Sequence, residues 1–401
     1  MSKFYNTFSD CSSGFMDFLH SYCPFLSKPL LNIMPDVLSS MILSSSCITK
    51  NIASNCKGRK FDFIHPDSKK KRIRRFFNNK LYDPYLIYDS IIKHVISRFN
   101  CKHGDNFVHV VFDHMFLSER FVTFMISLRI GKKSVPLWFR CFPDGHSSNE
   151  AFQESLITKG IQYVIDLFAD KPNYKLVFLA DRWFGSTSLL DFIVKSGHLF
   201  VVRAKDNYNV WYHNNKEGHV IKSKIKNLFH YTHKATYYEN VLVSDSKFKT
   251  NIVFSATKSV SISNKTDSGE VDEPWILFTN CDVRRAIKWY GYRFGAIEFL
   301  FKDQKSNGFN LQKTGSRNLQ AFTMMYTCVN ICILYLTCLA THFTKNKNKL
   351  YSHVHIRYFS VSKGKNVRIM SIFQVGLELF KHAYNSEMKI YIPYTFILHD
   401  L

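Results

Sequence analysis

The chain has 401 residues, of which 46% are hydrophobic, so it is long enough to bury a large core and to form two or three domains. Lysine and arginine number 54 against 31 aspartates and glutamates, which leaves a net charge of +23. Such a charge is typical of a protein that meets a polyanion, although a generally Lys-rich proteome is the alternative. The ten cysteines include no Cys-x-x-Cys pair, which argues against a zinc site or a disulfide scaffold.

The first hundred residues are predicted to be helical. Asp83 and Pro84 are typical of a helix start, and apolar residues then recur at helical spacing up to Phe99. Just before them lies the densest basic cluster of the chain, flanked by Phe76 and Phe77. Cations beside aromatic side chains favour contact with phosphate, and the alternative is a solvated helix face or loop. The basic cluster consists of Lys69, Lys70, Lys71, Arg72, Arg74 and Arg75.

From about residue 105 the sequence pattern changes to that of strands, which are rich in β-branched and aromatic residues. The patterns predict three successive strands, then a helix, a strand, a helix and a strand. Their predicted ranges are 108–115, 121–129, 135–142, 149–169, 175–180, 186–196 and 199–204. This order is that of a ribonuclease H-like α/β core, in which helices cover a mixed sheet.

The second half of the chain is less regular. Short strand-like pieces between 207 and 280 predict a β-rich insertion, and 344–349 is expected to be a charged break before a tail that carries no motif. The segment 321–343 has no charged residue and is about as long as a membrane span. Because it contains several threonines and Asn330, we interpret it as a buried core helix rather than a transmembrane helix.

Three acidic residues carry the functional prediction. Asp113 ends the run Val-His-Val-Val-Phe, Asp181 ends the run Leu-Val-Phe-Leu-Ala, and Glu298 lies in a segment of helical pattern. In the predicted sheet the two aspartates lie on neighbouring strands at the same edge. Two acids at strand ends and one on a helix can form a cage of carboxylate oxygens for two Mg²⁺ ions, and such a pair of ions acts on phosphodiesters.

Residues 288–307 resemble the Tyr-Arg-Glu-Lys motif of bacterial insertion-sequence transposases of the DDE class. That motif reads Tyr-x₂-Arg-x₃-Glu-x₆-Lys, and here Tyr290, Arg293, Glu298 and Lys305 match it except for one additional residue between Arg293 and Glu298. The sequence Ala-Asp-Arg-Trp-Phe-Gly at 180–185 is also typical of the family. The resemblance covers about 105–343.

The resemblance implies a transposase that cuts and joins DNA with two Mg²⁺ ions, for which Mn²⁺ can substitute. Asp113, Asp181 and Glu298 would be the catalytic, metal-binding acids, while Tyr290, Arg293 and Lys305 would hold DNA phosphates. The implied partners are double-stranded DNA, as terminal inverted repeats and target, and a second copy of the chain. We expect no membrane association and a reduced, cytoplasmic and nucleoid-associated location, since no signal peptide pattern follows Met1.

The predicted organisation has five parts. They are a helical, DNA-binding N-terminal region at 1–104, the first part of the core at 105–206, the insertion at 207–280, the second part of the core at 281–343, and the tail at 344–401. The helix of the second part would carry Glu298 and be the last catalytic element.

The longer gap before Glu298 has a geometric consequence. On a regular helix Lys305 lies within about 20° of Glu298, whereas Arg293 lies about 140° away from it. We therefore expect a π-bulge or a late helix start between Gly291 and Ile297 that brings Arg293 toward the acids.

Three alternatives remain open at the level of the sequence. The first is a nuclease of the same fold that cuts without joining. The second is a degenerate copy that binds DNA but no longer cleaves it. The third, a membrane protein, depends only on 321–343.

Overall fold

Among the residues that the structure describes, a mixed β-sheet of ten strands has helices packed against it. The computed structural model describes residues 8–57, 61–100, 106–117, 120–214, 219–229, 234–256, 274–306, 308–350, 359–362, 365–368, 370–385 and 397–398. A mixed α/β class is therefore confirmed.

Six helices precede the sheet in the part of the chain that the structure describes. The Asp83 carboxylate accepts hydrogen bonds from the backbone N–H groups of Tyr85 and Leu86, which caps the sixth of them. The helices are α1 (Phe8–Tyr22), α2 (Lys28–Leu31), α3 (Met34–Ser44), α4 (Thr49–Asn55), α5 (Pro66–Phe77) and α6 (Pro84–Ser97). Their apolar faces belong to the same hydrophobic core as the sheet.

The predicted succession of strands and helices between 105 and 206 is confirmed. Gly131 turns the chain between the second and third strands at φ 57°, and Gly197 closes the second helix at φ 80°, both in the left-handed region that favours glycine. The elements are β1 (Phe107–Phe116), β2 (Phe121–Ile130), β3 (Lys133–Pro143), α7 (Glu150–Leu167), β4 (Lys175–Ala180), α8 (Thr187–Lys195) and β5 (Leu199–Arg203).

The strands of the predicted insertion extend this sheet instead of forming a sheet of their own. They are β6 (Asn209–Asn214), β7 (His219–Lys224), β8 (Thr236–Val243), β9 (Phe248–Phe254) and β10 (Ile276–Thr279), with the short helix α9 (Ile225–Leu228) after β7. The sequence prediction missed β7, because its side chains are largely exposed and give no alternation of buried and exposed residues. The polar stretch 261–272 of this insertion lies outside the described residues.

The order of the strands is β3-β2-β1-β4-β5-β10-β9-β8-β6-β7. Strands β1, β4 and β5 run parallel to one another, and every other pairing is antiparallel. Val111 of β1 pairs with Leu179 of β4. Positions 113 and 181, two residues further along each strand, therefore come to the same edge of the sheet.

Two long helices follow, α10 (Val283–Lys305) and α11 (Leu319–Leu350). The apolar part of α11 is buried within the protein, as predicted for a core helix, although by length and composition Leu319–Lys345 could also cross a membrane. Two of its buried polar side chains bond to other helices: the Asn330 side-chain carbonyl accepts from Gln304 at 2.7 Å, and Thr327 donates to the carbonyl of Pro84.

The expected charged break at 344–349 is wrong, since α11 continues through it to Leu350. Lysine is a good helix former, and a change of polarity does not by itself end a helix. Beyond it, β11 (Phe359–Ser362) and β12 (Lys365–Arg368) form a hairpin, and α12 (Ile372–Asn385) packs on α11. At the contact a Cβ on Gly376 would lie 2.0 Å from the Leu336 carbonyl oxygen, so only glycine permits this approach.

Candidate active site

The three predicted acids converge at the edge of the sheet where β1 and β4 end. Asp113 lies near the end of β1, Asp181 follows β4 directly, and Glu298 projects from α10, which packs across β1, β4 and β5. Their carboxylates all contact the guanidinium group of Arg293. Its Nη2 lies 2.5 Å from Asp113 Oδ2 and 3.8 Å from Asp181 Oδ2, and its Nη1 lies 3.5 Å from Glu298 Oε1.

Arg293 reaches the acids without the helix irregularity that the sequence predicted. Helix α10 is regular from Val283 to Lys305, so the expected π-bulge or late start is wrong. The reason is that Arg293 lies on the buried stripe of α10, between Tyr290 and Ile297, and this stripe faces the sheet. Glu298 lies at the border of that stripe with a side chain that is 44% exposed, and the long arginine spans the angle between them.

The electrostatics of the cluster depend on burial. Burial raises the pKa of the Asp113 carboxyl, and the nearby Arg293 cation offsets part of that rise. Burial alone would lower the pKa of Arg293, but the negative charges of Asp113, Asp181 and Glu298 outweigh it and raise that pKa. The guanidinium therefore stays charged, and its buried Nε has no hydrogen-bond acceptor within the described ranges.

Tyr290 lies beneath this cluster. Its ring is buried against Trp275 and Phe294, and its hydroxyl donates to Asp181 Oδ1 at 3.4 Å. Burial, and then the charge of Asp181, raise the pKa of the phenol, so it stays a neutral hydrogen-bond donor. The hydroxyl positions Asp181 here, and the phosphate contact expected of Tyr290 stays a prediction.

Lys305 does not join the acids. It lies at the end of α10, half-buried, and burial lowers the pKa of its ammonium group. Within the described ranges no hydrogen bond or ion pair links it to Asp113, Asp181 or Glu298. Its role toward phosphate stays a prediction.

The two aromatic residues after Asp181 have opposite environments. Phe184 is buried and stacks against His114, whose ring nitrogen is 2.9 Å from the Gln153 side-chain oxygen. Trp183 is 47% exposed beside the acids. Phe184 thus belongs to the core that supports the strand ends, and Trp183 presents an aromatic surface next to them.

The predicted basic cluster lies on α5. Lys71, Arg72, Arg74 and Arg75 are exposed, whereas Lys69 donates to the Cys56 carbonyl and Lys70 pairs with Asp67. Phe76 and Phe77, which flank these cations in the sequence, are both buried. The helix is amphipathic, so the two aromatics lie on its core face and the exposed cations on the other.

Sequence reasoning missed Arg203 near the acids and the burial of Asp303 in an ion pair. Arg203 ends β5 at the same edge of the sheet, and its charge acts on Tyr290. Its position at the end of a predicted strand next to the second acid was the signal that could have revealed it. Lys133 and Asp303 form an ion pair of 2.7 Å with little exposure, which ties β3 to α10. No local pattern indicates that pair, since the two residues are far apart in the chain.

The Lys133–Asp303 pair leads to a prediction about stability. We expect Lys133→Ala to lower the free energy of unfolding by about 3–5 kcal/mol, because it leaves the buried Asp303 carboxylate without its cation. Lys132→Ala removes an exposed lysine from the adjacent position and serves as the control. Urea denaturation of both variants measures the effect, and equal midpoints would show that the pair contributes nothing.

The three carboxylates are chemically suited to bind a divalent cation, but the guanidinium cation of Arg293 now occupies the position between them. Carboxylate oxygens are the ligands that Mg²⁺ prefers. However, the guanidinium of Arg293 lies among the three carboxylates, and within the described ranges no group of three or more His, Cys, Asp or Glu side chains is arranged to hold a metal ion. Asp113, Asp181 and Glu298 are therefore suitable ligands once Arg293 moves aside.

Comparison with known proteins adds no relative. No model of a protein family matches the chain, and a search of curated proteins finds no significant match.

Proposed function

We propose that this protein is a DNA transposase of the DDE class that cuts and joins DNA with two divalent metal ions. The observation that carries the proposal is the convergence of Asp113, Asp181 and Glu298 on Arg293 at one edge of the sheet. The four residues come from three elements that are distant in the sequence. Arg293 and Glu298 belong to the motif, and Asp181 lies in the segment typical of the family. The fourth residue, Asp113, lies beside them at the same edge of the sheet.

The order of the strands supports a ribonuclease H-like core. Three antiparallel strands, β3-β2-β1, continue into β4 and β5, which are parallel to β1. The helices α7 and α8 connect the strands in the predicted succession. We infer that 105–206 and 281–343 form this core, that 207–280 is inserted into it, and that 1–104 and 344–401 are the N-terminal DNA-binding region and the tail.

Arg293 gives the site a way to respond to DNA. A guanidinium binds a phosphate or a carboxylate through the same pair of parallel hydrogen bonds, so a phosphodiester can replace Asp113 and Glu298 as its partner. When Arg293 turns to the phosphate, the three carboxylates become available to cations. Two Mg²⁺ ions bound there, or Mn²⁺ in their place, would activate the attacking oxygen and stabilise the leaving oxygen.

The other residues of the site position the acids and the DNA. Tyr290 holds Asp181 through its hydroxyl, and Trp183 offers an exposed ring on which an unpaired base can stack. Lys305 and the exposed cations of α5 supply further positive charge for the DNA backbone. The partners are the two ends of a DNA element and its target, held by two copies of this chain in the cytoplasm, at the nucleoid.

One experiment separates this function from the alternatives. The DNA that flanks the reading frame is searched for terminal inverted repeats, and a duplex that ends in such a repeat is incubated with the protein, Mg²⁺ and a target plasmid. A transposase cuts at the repeat and joins the end to the plasmid. Cut ends that never become joined indicate a nuclease, and tight binding without cutting indicates a degenerate copy.

The basic helix α5 leads to a second prediction. We expect the triple variant Lys71→Gln, Arg74→Gln, Arg75→Gln to weaken duplex binding and to lower the slope of log affinity against log salt by about 3, since each lost phosphate contact removes about 0.9. Lys70→Gln is the control, because Asp67 already pairs with that ammonium group. Equal slopes for the triple variant and the wild type would show that α5 does not contact DNA.

A further inference from the structure

A basic pocket lies beside the acids, at the end of the parallel strands. It has a volume of about 400 Å³ and lies between the loop after β5, the start of β10 and α9. Four cationic side chains line it against a single carboxylate, that of Asp206, which leaves an excess of three positive charges. The four cations are Arg182, Arg203, Lys205 and Lys226.

Backbone hydrogen bonds hold the walls of this basic pocket. The N–H of Ala204 donates to the carbonyl of Ile276 at 2.7 Å, and this bond ties the loop to β10. The N–H of Lys226 donates to the carbonyl of Asp206 at 3.0 Å, and the N–H of Ile225 to that of Tyr208 at 3.1 Å, so α9 is fixed over the same loop. The cations therefore project from a fixed frame and not from a free loop.

The basic pocket lies next to the candidate active site. Arg182 follows the acid Asp181 in the chain, and Arg203 lies close enough to Tyr290 for its charge to act on the phenol that donates to Asp181. Asp181 thus contacts Arg293, and the residue that follows it lines the basic pocket. In open α/β sheets this edge, outside the carboxyl ends of parallel strands, is where ligands bind.

We propose that the basic pocket binds the sugar–phosphate backbone of the DNA strand next to the phosphate that the acids act on. This inference rests on the proposed function and adds the path of the DNA strand to it. From the phosphate at the acids, the strand passes Arg182 and Arg203, and its next phosphates enter the pocket. Cations match phosphates, while Phe229 and Ile276 in the wall provide apolar surface for a sugar or a base. The volume lies in the range of about 300–1,000 Å³ found for small-ligand sites, which suits one nucleotide unit at a time.

Two exposed lysines of the basic pocket allow a test that leaves the acids intact. The double variant Lys205→Gln, Lys226→Gln removes two charges from the pocket. The matched control, Lys175→Gln with Lys195→Gln, removes two exposed charges at the opposite edge, where β4 begins and α8 ends. Affinity for a short mixed-sequence duplex is measured by fluorescence anisotropy from about 50 to 200 mM salt.

We expect the pocket variant to lower the slope of log affinity against log salt by about 2 and the control pair to leave it unchanged. If wild-type protein binds the duplex but both pairs lower the slope equally, the pocket is not on the DNA path and the proposed function still stands. If wild-type protein does not bind the duplex, both proposals are wrong. Fluorescently labelled adenosine monophosphate is titrated separately by anisotropy, and binding that the pocket variant abolishes while its DNA affinity and salt slope stay those of the wild type would assign the pocket to a free nucleotide and overturn this inference.

Discussion

Asp181→Ala and Glu298→Ala are expected to abolish Mg²⁺-dependent cleavage of end DNA while DNA binding stays within a few-fold of the wild type. Divalent ions contribute several kcal/mol to the stabilisation of such a transition state, and about 1.4 kcal/mol corresponds to a factor of ten in rate. The loss should therefore be at least about 10³-fold. Both side chains are partly exposed, so their removal does not disturb the core.

Asp113 requires a gentler change, because it is the nearest carboxylate to the buried Arg293. We expect Asp113→Asn to lose cleavage to the same extent, since an amide is a much poorer ligand for Mg²⁺ than a carboxylate. Asp170→Ala, which removes an exposed carboxylate before β4, is the control and should cleave normally. Near-normal cleavage by any of the three site variants would exclude that residue from the site.

Arg293→Ala is expected to have two opposite effects. Cleavage should slow by about 10²–10³-fold, which is typical when one group that stabilises transition-state charge is removed. Mn²⁺ should bind more tightly in the absence of DNA, because a cation no longer lies among the three carboxylates. Overall DNA affinity should fall much less than the rate, since one contact among many is lost.

Two further variants separate charge from shape at this position. Arg293→Lys keeps the charge but not the paired hydrogen bonds, so it should restore weak Mn²⁺ binding and only part of the cleavage rate. Lys288→Ala removes an exposed cation from the same helix and should leave both quantities unchanged. An Arg293→Ala variant with normal cleavage and unchanged Mn²⁺ affinity would show that the guanidinium has no part in the reaction.

Local patterns were sufficient for most of the elements. The β-branched runs of β1 to β5 and the capped start of α6 were visible in the sequence, because each is determined by neighbours along the chain. Strand β7 was not visible, since it forms by pairing with β6 and buries little of its own surface. The continuation of α11 to Leu350 was not predicted, because the charged residues at 344–349 were interpreted as the end of the helix.

The candidate site was partly predictable as well. The motif indicated which acids to examine, and the register of β1 against β4 then placed Asp113 beside Asp181. The position of Arg293 was derived from its angle to Glu298 alone, whereas the buried stripe of α10 decides it. Arg203 and the basic pocket depend on contacts between segments that are far apart in the chain, and spacing along the sequence carries no information about those.

Counting the Mn²⁺ ions bound to the protein–DNA complex tests the central claim most directly. Electron paramagnetic resonance of free Mn²⁺ during a titration gives the number bound per chain, with and without duplex DNA that ends in the terminal repeat. We expect two ions per chain when DNA is present, weaker binding when it is absent, and a loss of both ions in Asp181→Ala. A wild-type complex that binds DNA and takes up no Mn²⁺, or takes up equal amounts in the Asp181→Ala variant, would contradict it.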